Sequence, residues 1–175
     1  MPNYDVFLAC PISGSTDVPG VALGRDLAES LASALRGFGL SVFFAGCKLE
    51  QGKEVCPPDF SLNLASVKDS AVFVLITAEH EVSRSSIWIE AGMAFALEIP
   101  SIFVAPGLNS LPILVQRALE PIAEGGQRGA VGLWFTSTIG CSAVVDFLLP
   151  RLLIHLQPLQ EVTNKWNGGA EFIPV

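Results

Sequence analysis

The chain has 175 residues, a formal net charge of −7, 50% hydrophobic residues and only 15% charged ones. That length suits one domain with a sizeable core, and an acidic balance with no Lys/Arg cluster excludes a general nucleic-acid binder. The apolar excess, with no run long enough to span a bilayer, points to a buried central sheet and a homo-oligomer interface, and argues against a membrane protein.

The N-terminus runs straight into a strand-like segment, without the basic and apolar regions of a signal peptide, so a cytoplasmic protein is expected. Cys10, Cys47, Cys56 and Cys141 are widely spaced and form no CxxC pair, and only His80 and His155 accompany them. No metal site is therefore expected. Cys10 would follow the first strand as a possible nucleophile, but no histidine is placed to activate it.

Residues 4–9 (YDVFLA) read as an apolar internal strand. They lead into a polar loop, residues 10–17, punctuated by Pro11 and Gly14. Its Ser13, Gly14, Ser15 and Thr16, with their backbone amides, suit a phosphate or a ribose, although neither GxxxxGK[ST] nor GxGxxG is present. The spacing of Leu27, Leu31 and Leu35 predicts a helix over 23–38, with Gly37 and Gly39 at its end. Residues 41–45 form a second strand. A loop over 46–58 carries Lys48, Glu50, Gly52 and Lys53, and Asp59 can cap a helix over 60–68.

Residues 71–77 are fully apolar up to Thr77, as a central parallel strand should be. A loop over 78–86 follows. Residues 87–97 then read as a helix apolar on nearly every face, which marks a buried helix packed through Trp88, Ile89, Met93, Phe95 and Leu97. Glu90 is its only charge. A buried carboxylate must be paired, hydrogen-bonded or turned to a cleft. Either Arg84 or backbone amides satisfy it, or it is a catalytic group at a pocket mouth.

Strand 101–105 comes next, then a short helix over 109–119, a Gly-rich stretch over 124–129 and a fifth strand over 130–135. A last helix, residues 142–156, is interrupted by Pro150. The domain spans residues 1–157, and the tail 158–175 has no clear period.

Strands alternating with helices predict an α/β three-layer sandwich on a five-stranded parallel sheet. A flavodoxin-like order, 2-1-3-4-5, puts ligands outside the carboxyl ends of the strands. Glu90 begins the helix after the third strand, at that edge. Glu98 lies eight residues on, roughly 12 Å along the axis, too far for the paired carboxylates of a retaining glycosidase, about 5–5.5 Å apart. Asp17, Asp69, Glu79 and Glu81 are loop-borne candidates for a second acid. Lys48, Lys53 and Arg84 are candidates for an anionic ligand, and Trp88 and Phe44 either stack on a base or pack in the core.

Several segments resemble the superfamily of TIR domains and nucleoside 2-deoxyribosyltransferase-like enzymes. Residues 4–8 (YDVFL) resemble the TIR opening, 39–44 (GLSVFF) with 48–52 (KLEQG) its second strand and loop, and 69–77 its third strand. Residues 83–92 resemble its "S-x-W…E" segment. Residues 7–12 (FLACPI) are similar to the transferase start "YLAGPIF", and 90–94 (EAGMA) to its "E-x-G-x-A". The likeness covers residues 4–148. It implies Glu90 as the catalytic carboxylate and Cys10, Pro11, Ile12, Ser13, Gly14, Ser15, Phe44, Ser83, Arg84 and Ser86 around a nucleotide or nucleoside, with no bound cofactor.

Two differences matter. Trp88 stands two residues before Glu90, where TIR domains have Trp four before. Arg84 stands where the transferases carry an acid about six residues before the Glu. Deoxyribosyl transfer must protonate its departing base, whereas nicotinamide leaves from an already cationic nitrogen. The resemblance therefore implies N-glycosidic cleavage, with NAD as substrate before deoxynucleosides or nucleoside 5′-phosphates. A non-catalytic, self-assembling TIR-like module that senses a nucleotide is the alternative from another class.

Overall fold

The computed structural model describes residues 2–11, 19–45, 49–50, 53–54, 60–77, 87–119, 130–134, 145–150 and 152. Strands β1 (Tyr4–Ala9), β2 (Val42–Phe44), β3 (Ser70–Ile76) and β4 (Ser101–Ala105) form a parallel sheet in the order β2-β1-β3-β4. This is an α/β protein whose strand order is compatible with the flavodoxin-like expectation. The extended segment Ala130–Trp134 runs parallel beside β4, with Ser101 opposite Ala130 and Ala105 opposite Trp134.

The two central strands are apolar on both sides because helices cover both faces. The period-2 alternation of each strand sorts its side chains between two cores. Val6, Leu8, Val72, Val74, Ile76, Ile102 and Val104 face α1 (Pro19–Gly37) and the helical residues 145–150 and 152. Phe7, Phe73, Leu75 and Phe103 face α2 (Phe60–Lys68), α3 (Ile87–Ala96) and α4 (Ile113–Ala118). On this second face Phe7 stacks between Phe43 and Phe73, with ring centroids 5.2 and 5.6 Å apart.

At the amino edge of the sheet the polar side chains are matched. Ser41 donates to Asp5 Oδ2 from both its amide and its hydroxyl, each at 2.7 Å. Asn3 Nδ2 donates to Asp69 Oδ2 at 2.9 Å, and the Ser70 and Ser101 hydroxyls donate to the carbonyls of Ser66 and Ile99.

Two helices end in the same way. After α1, Gly39 N–H donates to Arg36 O and Leu40 N–H to Leu35 O, with Gly39 at φ 80°. After α3, Glu98 N–H donates to Phe95 O and Ile99 N–H to Ala94 O, with Glu98 at φ 55°. Both are Schellman motifs, in which a left-handed residue lets its own amide and the next one reach back. Gly39 adopts that conformation without a Cβ penalty, whereas Glu98 adopts it against one.

Several expectations need correction. Helix α1 starts at Pro19, four residues earlier than the leucine spacing predicts. Proline suits a first helical position, where its missing N–H has no intrahelical partner to lose, while Gly20 and Gly24 hide the apolar period. The predicted helix over 109–119 is a 3₁₀ turn, Leu108–Ser110, followed by α4. The cause is Pro112, which holds Leu111 extended at φ −98°, ψ 151°. Within the loop predicted over 46–58, Leu49–Glu50 pairs antiparallel with Lys53–Glu54. Of the last predicted helix, residues 145–150 and 152 are described and have helical backbone, Pro150 included.

Helix α3 is not buried all round. Its buried stripe is Ile87, Glu90, Ala91 and Ala94, while Ile89 and Leu97 are exposed. As an outer layer it packs against the sheet and α2 and leaves the rest of its surface outward. The tail, residues 158–175, lies outside the described residues. None of the described helices is long and apolar enough to cross a membrane.

Candidate functional site

In a parallel α/β unit the helix runs back across the strand it follows, so the first turn of α3 stands at the carboxyl edge of the sheet. Glu90 occupies that turn, on the stripe that faces inward, and is 1% exposed. Helix α2 packs against α3 and supplies the partner. Asn63, 5% exposed, donates from Nδ2 to Glu90 Oε1 at 2.8 Å. The other carboxylate oxygen, Oε2, is buried and has no hydrogen-bond partner among the described residues.

Burial pushes the Glu90 pKa up from 4.5 to about 7, against the smaller, opposite pull of the Asn63 hydrogen bond. At neutral pH the group is therefore divided between acid and anion. This carboxyl can stabilise a cation while ionised, or deliver a proton while neutral. Its unpartnered oxygen is the one available for either task.

Asn63 is the residue beside Glu90 that the sequence pattern misses. It sits between Leu62 and Leu64 in a short helix of weak amphipathic period. The available signal was an amide at a core-facing position, since such an amide needs a buried partner. Arg84, expected as a partner of Glu90, lies outside the described residues, and Asn63 rather than a backbone amide donates to the Glu90 carboxylate among those described.

The other candidates divide by place. Cys10 and Pro11 are buried at the carboxyl end of β1, on the edge where Glu90 stands. Burial is the main cause that raises the Cys10 thiol from 9.0 to about 12, with Arg25 opposing and Glu29 and Glu90 adding smaller upward contributions. So high a pKa leaves almost no thiolate at neutral pH, which argues against a nucleophilic Cys10. Phe44 closes β2 but packs with the α1 core, on the face of the sheet opposite Glu90. Trp88 packs in part against the core on the α3 side.

Asp69 precedes β3 and is held by Asn3 at the amino edge, so it stands at the far end of the sheet from Glu90. Glu98 is exposed at the opposite end of α3. Ile12, Ser13, Gly14, Ser15, Thr16, Asp17, Lys48, Glu79, Glu81, Ser83, Arg84 and Ser86 lie outside the described residues. Among the described residues no cluster of three or more His, Cys, Asp or Glu side chains is placed to hold a metal. No protein-family model matches the chain, and no curated protein matches it.

Proposed function

We propose that the protein cleaves the N-glycosidic bond of a nucleotide, with NAD as substrate and Glu90 as the catalytic carboxylate. The observation that carries this reading is the state of Glu90: one oxygen anchored by Asn63, the other buried without a partner among the described residues, at the carboxyl edge of a parallel sheet. In the ionised form, Oε2 stabilises the positive charge that develops on the ribosyl ring as the glycosidic bond breaks. The bonding electrons go to the nicotinamide nitrogen, which departs neutral and requires no proton. Water or an intramolecular nucleophile then takes the anomeric carbon.

The reading extends the fold to a flavodoxin-like five-stranded sheet and places the chain in the cytoplasm as a homo-oligomer. The exposed Ile89, Leu97, Ile113 and Leu114 support an oligomer. The experiment is NAD turnover by the purified protein beside Glu90→Gln. Nicotinamide release that falls at least about 100-fold in the variant is expected; release that the variant leaves unchanged sinks the proposal.

A second reading draws on the pKa near 7. A protonated Glu90 can donate to a departing purine or pyrimidine, as a 2-deoxyribosyltransferase or nucleoside 5′-phosphate N-hydrolase requires. Base exchange into deoxynucleosides, without NAD turnover, is the result that selects it. Nucleotide binding and self-assembly without turnover of either substrate select the signalling-module alternative.

A further inference from the structure

Two buried side chains carry polar atoms without a partner among the described residues, Glu90 Oε2 and Thr77 Oγ1. The second is not used in the reaction as written above. Thr77 is 0% exposed, and its amide donates to Val104 O at 2.9 Å, so the ladder of β3 continues one residue past Ile76. The pleat then puts Thr77 on the face of Phe73 and Leu75. That face packs against Ile87, Ala91 and Ala94, the stripe of α3 that also holds Glu90. Both unpartnered atoms thus belong to the layer between the sheet and α3, at the carboxyl end of β3.

An unpartnered buried hydroxyl or carboxylate oxygen costs about 1–3 kcal/mol each. Valine has the shape of threonine and would remove the first cost outright. The two atoms are also complementary in kind: an ionised carboxylate oxygen only accepts, whereas a hydroxyl both donates and accepts. Neighbouring hydroxyls on one sugar ring match that pair, one donating to the carboxylate and the other bonding to the threonine.

We propose that Thr77 is a specificity-determining contact of the Glu90 site, binding a hydroxyl of the ribosyl ring beside the one held by Glu90 and so selecting ribosyl over 2-deoxyribosyl substrates. This inference rests on the N-glycoside reading above. Since the hydroxyl serves a ligand and bonds to none of the described residues, its removal acts on turnover and leaves the fold intact.

The test compares wild type, Thr77→Val and Thr77→Ser in base release from NAD and from 2′-deoxyinosine, and in thermal unfolding without ligand. Thr77→Val is expected to lower kcat/KM for NAD about 10- to 100-fold, with Thr77→Ser within a few-fold of wild type and the melting temperature of Thr77→Val equal or higher. Thr77→Val with wild-type kcat/KM, or with a lowered melting temperature, overturns the role of Thr77 and leaves the Glu90 reading standing. Wild type active on 2′-deoxyinosine but not on NAD also overturns it. Base release by wild type from neither substrate overturns both.

Discussion

Asn63 holds one oxygen of the Glu90 carboxylate at 2.8 Å and leaves the other without a partner among the described residues. A neutral amide orients the group without supplying charge, which an arginine in its place would do. Burial therefore dominates the titration and keeps the pKa near 7.

The first prediction concerns stability against pH. The folded pKa of about 7 lies above the ordinary 4.5, so between those values the folded state holds more protons than the unfolded state. The contribution of Glu90 is then fully present below pH 4.5 and is lost as pH rises to 7. Glu90→Gln removes this loss. It is expected to be more stable than wild type at pH 8 by up to about 3 kcal/mol and to match it near pH 4. Urea unfolding of both proteins at the two pH values checks this, and a difference independent of pH contradicts it.

The second prediction is kinetic. If the anion of Glu90 does the work, kcat/KM for NAD rises with pH through a midpoint near 7 and then levels. A profile that falls through the same midpoint assigns the work to the protonated form and favours transfer to a base. Initial rates between pH 5.5 and 9 distinguish the two.

Removing the anchor should move that midpoint. The Asn63 hydrogen bond lowers the Glu90 pKa, so Asn63→Ala is expected to shift the kinetic midpoint to higher pH. It should also destabilise the fold by about 1–3 kcal/mol, by stripping a buried carboxylate of its donor. An unmoved midpoint would mean that Asn63 does not hold Glu90 during the reaction.

The helix ends give a prediction that does not involve the site. Glu98→Gly relieves a left-handed backbone occupied by a residue with a Cβ, and should add about 0.5–1 kcal/mol, or about 1–4 °C in Tm. Gly39→Ala imposes the same penalty on the equivalent position and should subtract a similar amount. NAD turnover is expected to stay at the wild-type level in both.

The central strands were legible because burial on both faces leaves no room for polar residues: SAVFVLI is nearly its own assignment. Glu90 stood out for the same reason, as one charge on a helix otherwise without any. What the pattern could not show depends on packing between segments. Nothing local links Asn63 to a residue 27 positions on, and Thr77 reads as the ordinary polar end of a strand until its hydroxyl is found without a partner. Phe44 illustrates the converse. An aromatic residue at the end of a strand suits a base, yet β2 directs it to the α1 side.

The matched amino edge gives the sheet a direction. There Asp5 with Ser41, Asn3 with Asp69, and the Ser70 and Ser101 hydroxyls with nearby carbonyls already use their hydrogen bonds on one another. A newcomer at that end would have to break a bond before making one. At Thr77 Oγ1 and Glu90 Oε2 it would break none with the described residues. Change at the first end falls on bonds that the fold makes with itself, while change at Thr77 Oγ1 or Glu90 Oε2 falls on atoms that make none with the described residues. The same sheet can therefore hold its architecture constant at one end while its chemistry drifts at the other.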